Sequence, residues 1–280
     1  MAEVAGHYLD RGTRISRYEV VAVIGAGGFG ITYKAYDTRL LCEVAMKEYL
    51  PVELAARGSD QSTVLPRSQD VTEEYRHGLT RFLDEARVLA KFKNRHIVRV
   101  SDFMEVNGTA YLVMDYEEGQ SLAELLKQRG GPLSEVEIKN IFIPILDGLK
   151  AVHDAGLLHR DIKPDNIYLR KHGPPVLLDF GAARQYAASQ TRGLTAIVTP
   201  GYAPFEQYQP NAELGAWSDL YAVGATMYAC ITGSPPVDAI TRHPGVKVDP
   251  LPPAVEVGGD RYSEVLLRSI DWMLRPAANE

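Results

Sequence analysis

The stretch Ile24-Gly25-Ala26-Gly27-Gly28-Phe29-Gly30 carries glycines at the spacing G-x-G-x-x-G, and the run Ile31-Thr32-Tyr33-Lys34-Ala35-Tyr36 follows at once. Two unrelated folds use this spacing where backbone approaches phosphate. In the dinucleotide-binding fold the loop opens a helix, and an acidic residue follows about 20 residues on. Glu43 and Glu48 stand near that distance, but the residues after Gly30 alternate as a strand does. A glycine loop that leads into a strand weighs against a dinucleotide-binding oxidoreductase, a reading that would rest on the glycines alone.

The rest of the chain divides by period. Residues 1–17 read as a loose lead-in. From Tyr18, three short runs rich in β-branched and aromatic residues read as strands, the third being CEVAMKEYL. Residues 51–72 mix Pro, Gly, Ser and Asp and read as an irregular connection. Apolar positions at Leu79, Phe82, Leu83, Ala86 and Leu89–Ala90 then repeat with helical spacing. Two more strands flank the turn pair Asn107-Gly108. After Gly119 the pattern becomes helical: SLAELLKQRG ends on Gly130-Gly131, and a longer helix opens on Ser134 with Glu137 as a capping box. Pro144 lies inside that helix and predicts a kink or local break. DLYAVGATMYACITG is almost wholly apolar, as a buried helix would be. Strands first and helices second imply an α+β chain. Its sheet-rich part spans 18–116 and its helical part 117–280.

Composition narrows the functions. The chain has 280 residues, 24% of them charged, and a formal net charge of −6, so nothing in the bulk charge calls for nucleic acid or an anionic membrane. Cys42 and Cys230 are far apart and form no metal-binding pattern, which suits a reducing compartment. No apolar run reaches the roughly 18–20 residues of a membrane helix, so no membrane contact is expected within these residues.

Several polar residues are not needed by a fold of this kind. Lys47 stands in VAMK and Glu85 in RFLDEARVLAKF. LLHRDIKPDNIYLR supplies His159, Arg160, Asp161, Lys163 and Asn166. VLLDFGAAR supplies Asp179-Phe180-Gly181, TPGYAPFEQ ends on Glu206, and SDLYAVG opens with Asp219. Singly each has a plain reading: Lys47 as a surface lysine, Glu85 as a solvated carboxylate with Asp84 as its rival, His159 as a packed core residue. Together and in this order they resemble the protein kinase superfamily, and within it the bacterial Ser/Thr kinases of eukaryotic type.

The resemblance implies the α+β, bilobal protein kinase fold, with a small antiparallel-sheet N-lobe carrying one regulatory helix and a larger helical C-lobe. It implies ATP with Mg2+, or Mn2+ in its place, as cofactors. Ile24, Gly25, Ala26, Gly27, Gly28, Phe29, Gly30 and Thr32 would cover the nucleotide, and a missing Cβ lets backbone N–H groups come close to phosphate. Ala45, Met114, Asp115, Glu117 and Tyr168 would surround adenine, the backbone of Asp115 and Glu117 bonding its edge. Lys47 would carry positive charge to the α- and β-phosphates, with Glu85 as its ion-pair partner. Asn166 and Asp179 are oxygen ligands that suit Mg2+. Asp161 would accept the proton of the substrate hydroxyl, and Lys163 would stabilise charge on the moving phosphoryl group. His159 and Phe180 would stack with Leu89 and Val100. Asp219 would accept hydrogen bonds from the catalytic-loop backbone.

RDIKPDN follows the Ser/Thr form, and Thr199 fits the threonine that bonds the Asp161–Lys163 pair, so Ser or Thr of protein substrates is the implied acceptor. Ser189, Thr191 and Thr195 are phosphosite candidates, with Arg160 as the phosphate's partner and a second copy of the chain as the partner for trans-autophosphorylation. The chain departs from the pattern at Thr32 and Tyr168, which add hydroxyls beside adenine, and at Pro204-Phe205-Glu206 in place of Ala-Pro-Glu. The arginine that pairs with this Glu has no good match; Arg275 fits poorly. That suggests an N-terminal kinase fragment of a longer protein, cytoplasmic in this part, with any membrane anchor beyond residue 280. The rival within the fold is a pseudokinase, a nucleotide-binding scaffold or sensor, although Lys47, Asp161 and Asp179 are all present.

Overall fold

The computed structural model describes residues 8–180, 198–209, 212–242 and 248–276. These form two compact units. One holds the chain up to Lys93 with Val98–Glu117, and the other holds Asn94–Ile97 with the described residues from Glu118 onward.

The first unit is a six-stranded antiparallel sheet with one helix. In chain order its strands are β1 (Arg14–Ile15), β2 (Tyr18–Gly27), β3 (Gly30–Asp37), β4 (Cys42–Tyr49), a separate hairpin of β5 (Ala55–Arg57) and β6 (Val64–Pro66), then β7 (Val100–Val106) and β8 (Thr109–Asp115). The main sheet runs β1-β2-β3-β4-β8-β7. Alternation decides its buried face: on β3, Ile31, Tyr33 and Ala35 point inward while the residues between them are partly exposed. Helix α1 (Thr72–Leu89) buries Tyr75, Gly78, Phe82, Leu83, Ala86 and Leu89. The buried stripe thus starts a turn earlier than the apolar residues alone imply, because Gly78 packs under Tyr49, whose hydroxyl would lie 2.0 Å from a Cβ there. Asn107 (φ 56°) and Gly108 (φ 71°) make the expected tight β7–β8 turn.

Two segments differ from their sequence reading. The described part of the lead-in is not loose: Leu9 is buried, its N–H donates to the Tyr33 hydroxyl (3.1 Å), and β1 pairs with β2. Residues 51–72 are not an irregular connection either. They fold into the β5–β6 hairpin and bury Ala55, Val64 and the Arg57 side chain. Polar composition hid this, because its one buried charge is matched by a carboxylate elsewhere.

The second unit is helical. It contains β9 (Gly119–Ser121), α2 (Leu122–Arg129), α3 (Glu135–Asp154), β10 (Ile167–Arg170), β11 (Val176–Leu177), α4 (Ala216–Thr232), α5 (Ala254–Gly258) and α6 (Glu264–Met273). Its small sheet is ordered β11-β10-β9. Helix α2 is capped by Ser121 and Glu124 and ends on Gly130 in the left-handed region (φ 65°). The Ser134–Glu137 capping box opens α3 as the sequence implies, and the bonds from Ser134 hold the Glu137 carboxyl down at about 2. Pro144 does not break α3, which runs unbroken from Glu135 to Asp154. The apolar helix α4 is buried along nearly its whole length, against a core that includes Phe142, Leu149, Leu267 and Ile270. Arg242 closes the core: its guanidinium meets Asp249 (2.7 Å), the Tyr221 hydroxyl (3.0 Å) and the Leu274 carbonyl (2.7 Å) past the end of α6.

Candidate active site

In the first unit the glycine loop is the tip of the β2–β3 hairpin. Gly25 pairs with Thr32, Ala26 with Ile31 and Gly27 with Gly30, which leaves Gly28 and Phe29 at the turn. The glycines serve different ends. A Cβ on Gly27 or Gly28 would meet nothing within 4 Å, so that backbone is open to a ligand. A Cβ on Gly30 would lie 2.2 Å from the Glu48 carbonyl, so Gly30 is required by the approach of β4 rather than by phosphate. Ile24 is about half exposed beside this tip.

Strand β4 pairs Lys47 with Thr32 on one side and Leu112 on the other, and Ala45 with Met114. Lys47 is half-buried; Ala45 and Met114 are buried. On α1, Glu85 is half-buried with one carboxylate oxygen out of solvent, whereas Asp84 is exposed and bound to Arg87. Burial therefore favours Glu85 over its neighbour. The Asp115 N–H donates to the Arg99 carbonyl (3.1 Å), and Glu117 ends the unit half-buried.

Glu48, next to Lys47, is the residue that sequence reasoning missed in this unit. Its side chain is fully buried and accepts from Tyr33 Oη (2.9 Å), Tyr111 Oη (2.7 Å) and both terminal nitrogens of Arg57 (2.5 and 3.1 Å). Burial and the neighbouring Glu48 charge raise the pKa of both tyrosines, so they remain donors.

In the second unit the residues of the loop from His159 to Asn166 converge. Asp161 Oδ2 accepts from Asn166 Nδ2 (2.8 Å), and Asp161 Oδ1 lies 3.1 Å from Lys163 Nζ and accepts from Thr199 Oγ1 (3.3 Å). Lys163 Nζ also donates to Thr199 Oγ1 (3.0 Å), so Thr199 joins the pair as the sequence implies. Asn166 is buried, and its amide nitrogen is spent on Asp161 Oδ2 and the Asp161 carbonyl (2.7 Å). Both of these bonds use the amide nitrogen and neither uses the amide oxygen. Asp179 is half-buried with φ 49°, and Arg160 has φ 68°, both in the left-handed region that a non-glycine residue enters at a cost. Tyr168 lies half-buried on β10, opposite Ser121 of β9.

Asp219, at the start of α4, sets the strained backbone. It is 1% exposed and accepts from the N–H groups of His159 (2.9 Å) and Arg160 (2.7 Å), and from His153 Nε2 (2.8 Å). The backbone donors were expected; His153 at the end of α3 was not, since nothing in its spacing marks it. The His159 ring stacks on Phe180 with centroids 4.5 Å apart, and its Nε2 donates to the Leu178 carbonyl (2.9 Å). Burial pushes the His159 pKa down although Asp219 and Asp161 pull it up, so the ring is neutral. Leu89 and Val100, the stacking partners named from sequence, are buried in the first unit. Glu206 is half-buried and accepts from Ser218 Oγ (2.6 Å), a second partner that the sequence did not mark. Ser189, Thr191 and Thr195 lie outside the described residues.

The family model for the protein kinase domain matches residues 18–250. The chain is 34% identical over 249 residues to a protein of Corynebacterium glutamicum named probable serine/threonine-protein kinase PknB, covering 85% of this chain and 35% of that one. It is 32% identical over 279 residues to serine/threonine-protein kinase PknL of Mycobacterium bovis, covering 91% of this chain and 65% of that one. It thus spans between about a third and two thirds of the length of these relatives. A solved chain described as the apo form of PpkA-294 superposes with a TM-score of 0.88 at 37% identity, over 98% of this chain and 95% of that one. The strand-first, helix-second layout, the convergence on Asp161 and the match over most of the sequence agree: the chain belongs to the protein kinase family.

Proposed function

We propose that this chain is the catalytic domain of a protein Ser/Thr kinase, moving the γ-phosphoryl group of ATP to Ser or Thr hydroxyls of protein substrates. The cluster of Asp161, Lys163, Asn166 and Thr199 carries the reading. Phosphoryl transfer needs an oriented hydroxyl and compensation of phosphate charge more than it needs covalent chemistry. Asp161 orients the acceptor hydroxyl and takes its proton, and Lys163 offsets charge on the transferred group. Lys47, held by Glu85, takes the α- and β-phosphates, under the loop from Ile24 to Thr32. By the family's pattern we assign Ala45 and Met114 of the first unit, and Tyr168 of the second, to adenine, and the backbone of Asp115 and Glu117 to its edge.

The family implies ATP and a divalent metal. Asn166 and Asp179 together offer an amide oxygen and a carboxylate, a donor set for a hard cation, and we assign them to Mg2+ with Mn2+ as a substitute. The bound metal–nucleotide complex supplies the phosphoryl group and neutralises its oxygens. Because the reaction consumes ATP, we place the domain in the cytoplasm; no helix among the described residues is long and apolar enough to cross a membrane. Ser189, Thr191 and Thr195 are the proposed autophosphorylation sites, modified by a second copy of the chain, with Arg160 receiving the phosphate. The pseudokinase reading lacks its usual mark, since Lys47, Asp161 and Asp179 are all retained.

The test is transfer from radiolabelled ATP with Mg2+ to a generic basic protein, followed by phosphoamino-acid analysis and phosphosite mapping. Label on Ser or Thr that vanishes in Asp161→Asn is expected, with sites between residues 182 and 198 on the chain itself. Nucleotide binding without transfer to any acceptor would overturn the enzyme reading, and label on Tyr alone would overturn the acceptor class.

A further inference from the structure

The segment from Leu50 to Arg67, which carries the β5–β6 hairpin, bonds to the glycine-loop tip, to Glu48 on β4 and to the β7–β8 turn. At its start, the Leu50 N–H donates to the Phe29 carbonyl and the Val52 N–H to the Gly28 carbonyl, both at 3.1 Å. These are the two residues at the tip of the glycine loop. The Val52 carbonyl accepts from Arg67 Nε (2.7 Å), and the Arg67 N–H donates to the Leu54 carbonyl (2.8 Å), so the far end of the segment folds back on its beginning. In the middle, Arg57 drops from β5 onto Glu48, beside Lys47 on β4, and its side chain is 1% exposed. On the other side, the Val64 N–H donates to the Asn107 carbonyl (2.8 Å). Gly108, whose Cβ would lie 2.4 Å from the Val64 carbonyl, accepts through its own carbonyl from Tyr75 Oη of α1 (2.8 Å).

A glycine loop built from open glycines has little to hold its tip. Here two backbone N–H groups hold it, and they belong to a segment fixed by a buried, bidentate ion pair. A guanidinium taken out of water persists only against a well-placed carboxylate. Once seated, the planar fork of Arg57 allows little rotation of the hairpin.

We propose that this segment is a brace for the glycine loop and that Arg57 is a positioning residue for the nucleotide phosphates, acting through Glu48 and the Leu50 and Val52 N–H groups. The proposal rests on the kinase reading above and adds to it: in this chain the phosphate cover is held from its tip by residues 50–67 rather than left to its own glycines. Loosening the brace weakens ATP binding and leaves the acceptor protein's binding untouched, because no brace residue belongs to the second unit.

The experiment uses the full chain and two variants. Arg57→Met with Glu48→Gln removes the buried charges together, so that neither is stranded. Arg67→Ala removes only an exposed side chain that holds the Val52 carbonyl. Steady-state KM for ATP and for an acceptor protein, the Kd of ADP, and amide exchange of the peptide covering residues 24–35 are compared with the parent. In the double variant KM for ATP is expected to rise about fivefold or more, the size of one lost positioning hydrogen bond, with faster exchange at the loop tip and an unchanged acceptor KM. Arg67→Ala is expected to move the same quantities in the same direction by about twofold. A folded double variant with parental ATP KM and parental exchange at residues 24–35 overturns the brace. If the double variant does not fold, Arg67→Ala decides alone, and an unchanged ATP KM and tip exchange overturn it. If the parent binds ADP and transfers no phosphate, the kinase reading fails while ADP affinity and tip exchange still judge the brace.

Discussion

Asp219 in the second unit and Glu48 in the first are both buried carboxylates, and they collect their donors differently. Asp219 takes its bonds from one stretch of chain 59 to 66 residues upstream: the consecutive N–H groups of His159 and Arg160, and the ring of His153 before them. Glu48 gathers side chains from β3, β5 and β8, among them a guanidinium. The first carboxylate imposes a conformation on one loop, including the left-handed backbone of Arg160. The second ties together strands that must not slide, next to Lys47 and one residue pair from the glycine loop. A carboxylate that accepts from backbone shapes one loop. One that accepts from side chains fixes the relation of separate segments.

The largest expected effect comes from breaking the second arrangement alone. Glu48→Ala strands the Arg57 guanidinium and two tyrosine hydroxyls in the interior. Removing one partner of a buried ion pair costs about 3–5 kcal/mol, a large share of the stability of a domain. Urea unfolding followed by circular dichroism should show a midpoint lowered accordingly. A loss under about 1 kcal/mol would mean that water reaches Arg57, and Glu48 would no longer be a structural hub.

How legible each carboxylate was in the sequence follows from the same contrast. The backbone partners of Asp219 were readable through the family resemblance, since His159 and Arg160 stand together in one motif although 60 and 59 residues away; His153 was not. The strands of the sheet, the Asn107-Gly108 turn and the Ser134–Glu137 cap were readable for another reason: period, turn chemistry and capping are short-range signals. Asp161, Lys163, Asn166 and Thr199 came together as their motif implied. Glu48 was not readable as a hub. Its partners lie on three separate strands, 9, 15 and 63 residues away, and each alone looks like an ordinary charged or aromatic strand residue. Arg57, in a polar stretch, reads as a surface arginine until the hairpin is folded. The lead-in failed similarly, since Leu9 and Ile15 are too few to show a period and are held by contacts with the sheet. Pro144 misled in the opposite direction, because α3 packs firmly enough on both sides of the proline to run through it.

A smaller effect is expected from Asp219→Asn. The amide keeps one acceptor oxygen and loses the charge that strengthens the bonds to His159 and Arg160. Hydrogen bonds to charged groups contribute about 1.5–3 kcal/mol, so the loss of stability should fall at or below that range. The kinetic signature should be the reverse of that of the Glu48 hub. Asp161 stands next to Arg160, so a relaxed loop lowers kcat with the KM for ATP held, whereas loosening Arg57 and Glu48 raises the KM for ATP. Steady-state kinetics on both variants check this. Matching changes in the two variants would mean that the carboxylates act on the domain as a whole and the contrast does not hold.

The smallest effect is a pH dependence that only the Asp219 region should carry. His159 is buried and neutral, with a pKa below the usual histidine value through desolvation, opposed by Asp219, Asp161 and Asp179 and by its bond to the Leu178 carbonyl. The unfolded chain therefore binds a proton below a pH of about 6.5 that the folded chain resists. Stability from this group is complete above that value and falls as the pH drops toward the folded-state pKa, with a slope of at most about 1.4 kcal/mol per pH unit. Unfolding free energies measured between about pH 7.5 and 5.5 should show a slope that His159→Phe reduces, since a phenyl ring can still stack on Phe180 and cannot titrate. The Arg57→Met, Glu48→Gln double variant should leave that slope as it is in the parent, because Arg57 stays charged across the whole range. A slope that survives His159→Phe would assign the dependence to other groups and remove His159 from the account. A slope lost with the Arg57 and Glu48 substitutions would show that the two carboxylates are coupled.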